Sequence, residues 1–167
     1  DATEKMRIDS AGSVYIGDTA NTDMTQGLTI NQGANDDVIL ALKSSDVSQP
    51  VTAAWEADTF GQIRKFVASG GIAIEGFSSA ANDTAMLLSA ISGDTTPDTT
   101  DTSGSYGVIR INATKSDGST SSTVLAATEN LVNIDNGGTT RWLIKGNGDV
   151  HQTTDAHTAL DGYEDAE

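Results

Sequence analysis

Short apolar runs rich in Val, Ile, Leu and Ala recur along the whole chain, each closed by Gly, Asn, Asp or Ser, a pattern that favours strands and tight turns over long helices. The first two runs are residues 27–31 and 38–44, set apart by Gly33-Ala34-Asn35-Asp36-Asp37. Runs 51–57 and 60–68 read as a hairpin joined across Asp58-Thr59. In the next strand Ile72 and Ile74 share one face, and Ala73 and Glu75 share the other. Further runs follow at 85–91, 107–114, 122–127, 131–135 and 139–145, and Lys115-Ser116-Asp117-Gly118 carries the Asp-Gly signal of a hairpin turn. Short runs at this spacing predict an all-β fold, with a β-sandwich or jelly roll over residues 27–140. Its core is expected to take Leu28, Ile30, Ile39, Leu40, Ile63, Ile72, Ile74, Leu87, Ile109, Ile111 and Leu125.

Aromatic residues make up only 5% of the chain, so aliphatic side chains must build that core. The recurring apolar runs exclude full disorder. Nine basic residues stand against 24 acidic ones, a formal net charge of −15. A binder of phosphate backbones needs clustered Lys and Arg, so a nucleic-acid partner is excluded, and the acidity suits a repelling, exposed surface. No Cys is present, so the chain has no disulfide, thiolate metal site or cysteine nucleophile. No apolar stretch reaches the roughly 20 residues of a membrane span. The chain opens at Asp1 without a Met or signal peptide and reads as a piece of a longer protein.

One internal repeat changes the reading. Ile8-Asp9-Ser10-Ala11-Gly12-Ser13-Val14 near one end and Ile144-Lys145-Gly146-Asn147-Gly148-Asp149-Val150 near the other share the pattern Ile-x-x-x-Gly-x-Val, and an Arg lies before each, at Arg7 and Arg141. Physically this is strand, tight turn, strand, with the Gly supplying a positive φ. The repeats delimit an N-terminal segment (1–26) and a second motif (141–154) around the central domain. Beyond them, Asp155 is placed to cap a short helix carrying Ala156, Ala159, Leu160 and Tyr163 in an acidic tail, 155–167.

The run Met6-Arg7-Ile8-Asp9-Ser10-Ala11-Gly12-Ser13-Val14-Tyr15-Ile16-Gly17 resembles the MRIDSxGNVGIG repeat of phage tail-fibre and related virion structural proteins. That resemblance implies β-rich linkers between the domains of long, usually trimeric, fibres, with receptor-binding or chaperone domains often following. The family's run usually goes on with Thr and Pro, where this chain has Asp18-Thr19-Ala20-Asn21. A cellular surface filament built from similar modules is the other origin considered.

Reactive constellations are sparse. His151 and His157 are six apart, not at the spacing of a helical metal pair, and with Asp155 read as surface groups. Gly146-Asn147-Gly148 lacks the third Gly of a dinucleotide loop and is a turn. Glu56, Asp58 and Glu75 are the carboxylates that a glycoside hydrolase would need across a cleft, but no aromatic-rich cleft is written in the sequence. Asp94, Asp98 and Asp101, or Asn35 with Asp36 and Asp37, match no known calcium loop and read as solvated. Residues 93–104 form the longest polar loop; its Thr-rich stretch around Pro97 is a place for O-linked sugar, and Asn82 and Asn112 begin N-glycosylation sequons.

These readings converge on a non-enzymatic, cofactor-free structural module of an extracellular or virion fibre. Ile8, Gly12, Val14 and Ile16 of one copy are expected to pair with the region of Ile144, Gly148 and Val150 of another, head to tail or in a homotrimer. The alternative is a receptor- or carbohydrate-binding fibre module that contacts cell-surface glycans through exposed aromatics, for which Trp55, Phe60, Tyr106, Trp142 and Tyr163 are the candidates.

Overall fold

Strand formation follows the turn chemistry. The computed structural model describes residues 4–93 and 95–153, and these contain eleven strands and no helix. The fold is all-β. The chain divides into two compact units, Asp1–Ser89 and Ala90–Glu167.

The first unit holds two sheets. β1 (Met6–Ile8), β2 (Val14–Ile16) and β3 (Leu28–Ile30) lie in that order, β1 antiparallel and β3 parallel to β2. β4 (Val38–Lys43), β5 (Thr59–Val67) and β6 (Gly70–Gly76) form an antiparallel sheet with β5 at its centre. The second unit holds the small hairpin β7 (Lys115–Ser116) and β8 (Ser122–Thr123), and a sheet in the order β11-β10-β9. The latter is built from β9 (Asn130–Asn136), β10 (Thr139–Lys145) and β11 (Val150–Gln152). Gly137 and Gly138 join β9 to β10 with φ of 59° and 83°, the two consecutive positive values that a type I′ hairpin turn requires.

Three expected strands need correction. Run 51–57 is not a strand paired with β5. Pro50 cannot donate to a ladder, and the buried Gln49 side chain takes the place of a partner strand: its Nε2 donates to the Glu56 carbonyl at 2.9 Å and its Oε1 accepts from the Val51 amide at 2.7 Å. The hairpin partner of β5 is β6 instead, across Ala68-Ser69. Runs 85–91 and 107–114 form no strand either, although their composition suits one. A strand exists only with a neighbour to complete its ladder, and among the described residues no strand pairs with these segments.

The expected core is also largely absent. Ile30, Ile39, Ile63 and Leu125 are half-buried, whereas Leu28, Leu40, Ile72, Ile74, Leu87, Ile109 and Ile111 are exposed. Leu87 is 79% exposed and Ile91 93%. Tyr15 is the one large apolar side chain buried among the described residues, and the buried polar residues are Ser13, Gln49, Thr59 and Gln62. Sheets this small cannot cover both faces of their own strands.

Candidate functional site

The two terminal repeats fold into the same hairpin. In the first, Met6 faces Ile16, Arg7 faces Tyr15 and Ile8 faces Val14. The Asp9 amide donates to the Ser13 carbonyl at 3.0 Å, the Gly12 amide donates to the Asp9 carbonyl at 3.1 Å, and the Gly17 amide closes onto the Lys5 carbonyl at 3.0 Å. Gly12 sits at φ +86°, open to glycine and strained for other residues. Asp9 organises the turn: its Oδ1 accepts the Ala11 and Ser13 amides, each at 2.9 Å, and its Oδ2 accepts the Tyr15 hydroxyl at 3.2 Å. The Ser13 amide, with smaller help from the others, holds the Asp9 carboxyl below the usual range.

In the second hairpin Trp142 faces Gln152, Leu143 faces His151 and Ile144 faces Val150. The Lys145 amide donates to the Asp149 carbonyl at 2.9 Å, the Gly148 amide to the Lys145 carbonyl at 3.0 Å, and the Thr153 amide to the Arg141 carbonyl at 3.3 Å. Gly148 has φ +91°. The cross-strand pairs and these backbone hydrogen bonds map onto the first hairpin by one constant shift in residue number, Ile8 onto Ile144, Gly12 onto Gly148 and Val14 onto Val150, whereas the Asp9 side-chain bonds have no counterpart, since Lys145 stands in that place. By that shift Arg141 stands in the place of Lys5, not of Arg7, so the two arginines seen in the sequence are not equivalent. The copies differ in their third strand. The first carries β3 beside β2, and the second carries β9 beside β10, on the opposite edge.

A second feature is the uncovered face of the β4–β5–β6 sheet. Register places Leu40, Ile63 and Ile74 side by side, with Leu42 lying across Gly61, and Ile72 opposite Lys65. The exposed parts of Leu40, Leu42, Ile72 and Ile74 amount to roughly 400 Å², the size of the largest apolar patch on an ordinary monomer. A cleft of about 500 Å³ in the same unit is lined by Ile30, Asn31, Ile39, Ile63, Lys65 and Ile72.

The opposite face of that sheet is polar and internally paired. Arg64 donates from Nε and Nη2 to the two carboxyl oxygens of Glu75 at 3.0 and 2.9 Å, and Gln62 Nε2 adds a bond of 2.6 Å. Arg64, with Gln62 assisting, pulls the Glu75 carboxyl below its ordinary value against partial burial. Glu56 and Asp58 both pair with Lys43, so the three carboxylates considered for hydrolysis are occupied by cations at two separate places. Trp55 is half-buried against Phe77, ring centroids 4.4 Å apart, while Phe60 is partly exposed. In the second unit Trp142 is half-buried and Tyr106 is exposed beneath the Arg110 guanidinium, 4.6 Å from its centroid.

Asn35 bonds back to Gln32, Asp36 pairs with Lys65, and Asp98 accepts from Thr100 and Tyr106 within its own loop. Among the described residues no cluster of three His, Asp or Glu side chains is placed to hold a metal. Asn82 and Asn112 are both exposed. Asp94, the Asp155 helix, His157 and Tyr163 lie outside the described residues.

No protein-family model, curated protein or solved structure matches this chain.

The Arg64–Glu75 pair and the Lys43 bridges were missed from sequence. A signal existed for the first: once β5 and β6 are paired across Ala68-Ser69, opposite charges fall on one face near the end of the hairpin.

Proposed function

We propose that this chain is a structural subunit of an extracellular or virion fibre and assembles by β-strand pairing between copies. The observation that carries this reading is the apolar surface that the single chain leaves in water. Among the described residues, 85–91 and 107–114 have the composition of strands and pair with none, and one sheet leaves Leu40, Leu42, Ile72 and Ile74 exposed. Leaving so many large apolar side chains exposed is unfavourable by about 25 cal/mol for each Å² of apolar surface, which supports a partner surface that covers them. A second copy is the partner always at hand. The likeness of residues 6–17 to the phage tail-fibre repeat favours a virion setting. The work is mechanical, and the subunit turns over no substrate and uses no cofactor.

Light scattering with negative-stain imaging tests this. Rods or filaments are expected at micromolar concentration, and deleting residues 1–17 should abolish them while the β-spectrum in circular dichroism persists. A monomer at every concentration would sink the proposal. Turnover of a polysaccharide or ester that is lost on replacing one carboxylate would sink its non-enzymatic part.

A further inference from the structure

The matched hairpins show more than a shared ancestry of form, because each displays the neighbour that the other lacks. In the second hairpin the Lys145 amide donates to the Asp149 carbonyl, and the Arg141 carbonyl accepts from the Thr153 amide, both on the β11 side. Alternation along an antiparallel strand then turns the backbone groups of Trp142 and Ile144 toward β9, where they meet Ile134 and Val132. In the first hairpin Asp9 and Lys5 likewise bond toward β2, so Met6 and Ile8 turn theirs outward. No strand lies there among the described residues, since β1 ends its sheet. The consequence shows in burial: Ile144 and Trp142 are half-buried beside β9, whereas Ile8 is 66% exposed and Met6 58%.

β9 itself ends its own sheet. Its sequence, Asn130-Leu131-Val132-Asn133-Ile134-Asp135-Asn136, contains no Pro or Lys to blunt a free edge and carries one charge, Asp135, near its end. With Val132 and Ile134 committed to β10, the groups of Leu131, Asn133 and Asp135 point outward. We infer that the outer edge of β9 in one copy receives β1 of the next, antiparallel, so that β9 lies between two equivalent strands, its own β10 and the incoming β1. The other outer edges of the two hairpin sheets, β11 and β3, would join in parallel over three residues on each side, a weaker arrangement. The contact uses different surfaces on the two copies, so it adds subunits without self-closure in a pair. This inference rests on the fibre reading and specifies its edge and direction.

The absence of Cys makes a disulfide test clean. Arg7→Cys would be mixed with Val132→Cys or with Ile134→Cys, in the full chain, and oxidised mildly under assembling conditions. Cross-strand neighbours bring Cα atoms within disulfide range. A band at twice the chain mass is expected in at least one of these mixtures and in none of the variants alone. Thr29→Cys with His151→Cys reports the rival edge and should stay unlinked. Fibres that form without the 7-to-132 or 7-to-134 link overturn this pairing and leave the fibre reading intact. So does a link within Arg7→Cys alone, or one between the rival edges. Chains that stay monomeric throughout overturn both.

Discussion

Truncating Ile72 to Ala separates an intersubunit role from an intrachain one. Ile72 lies on the bare face of β6 and is 70% exposed in the single chain. It therefore leaves about 100 Å² of apolar surface in water, worth about 2.5 kcal/mol if another subunit covers it. Alanine retains the Cβ, so Ile72→Ala should weaken assembly by about 2 kcal/mol for each covered site, a factor of about 30 in the association constant. The unit itself should lose only about 0.5 kcal/mol, because the side chain makes few contacts there and β6 is an edge strand. Sedimentation velocity over a concentration series measures the first quantity, and urea unfolding of dilute monomer measures the second. The reasoning fails if the assembly midpoint is unmoved. It also fails if monomer unfolding carries the whole loss, since Ile72 would then be packed within the chain.

Acid should weaken the first unit through Glu75. Its carboxyl is held below the ordinary 4.5 chiefly by Arg64, so its contribution is present above about that pH and is lost as pH falls through the lowered value. Glu75→Gln should be less stable than the parent near neutrality and show a flatter decline in urea midpoint toward about pH 3. Gly17→Ala should disrupt the β2–β3 pairing, because φ is +72° and the new methyl would collide with the Asn31 carbonyl. A loss of at least about 2 kcal/mol is expected, and unchanged amide-exchange protection at Asn31 would contradict it. Asp9→Ala should remove the acceptors for the Ala11 and Ser13 amides, so their exchange should quicken while β5 amides stay protected; equal loss in both places would show that the turn is not independent.

Local chemistry determined much of this protein in advance. Turn residues and alternating apolar positions placed β3, β4, β5, β6, β9 and β10, and the Ile-x-x-x-Gly-x-Val spacing marked both hairpins, because a positive φ at Gly12 and Gly148 is a requirement on the residue itself. Which runs became strands was not local. Runs 85–91, 107–114 and 51–57 have much the same composition as those that paired, yet a strand is made by its neighbour, and among the described residues no strand completes a ladder with them. The third strand of each hairpin was illegible for the same reason: parallel pairing of β3 with β2, and antiparallel pairing of β9 with β10, are long-range choices that no short motif encodes. Burial was the least legible quantity of all. An aliphatic pattern states that Leu40, Ile72 and Ile74 share a face, but only the packed structure shows that they stay exposed among the described residues.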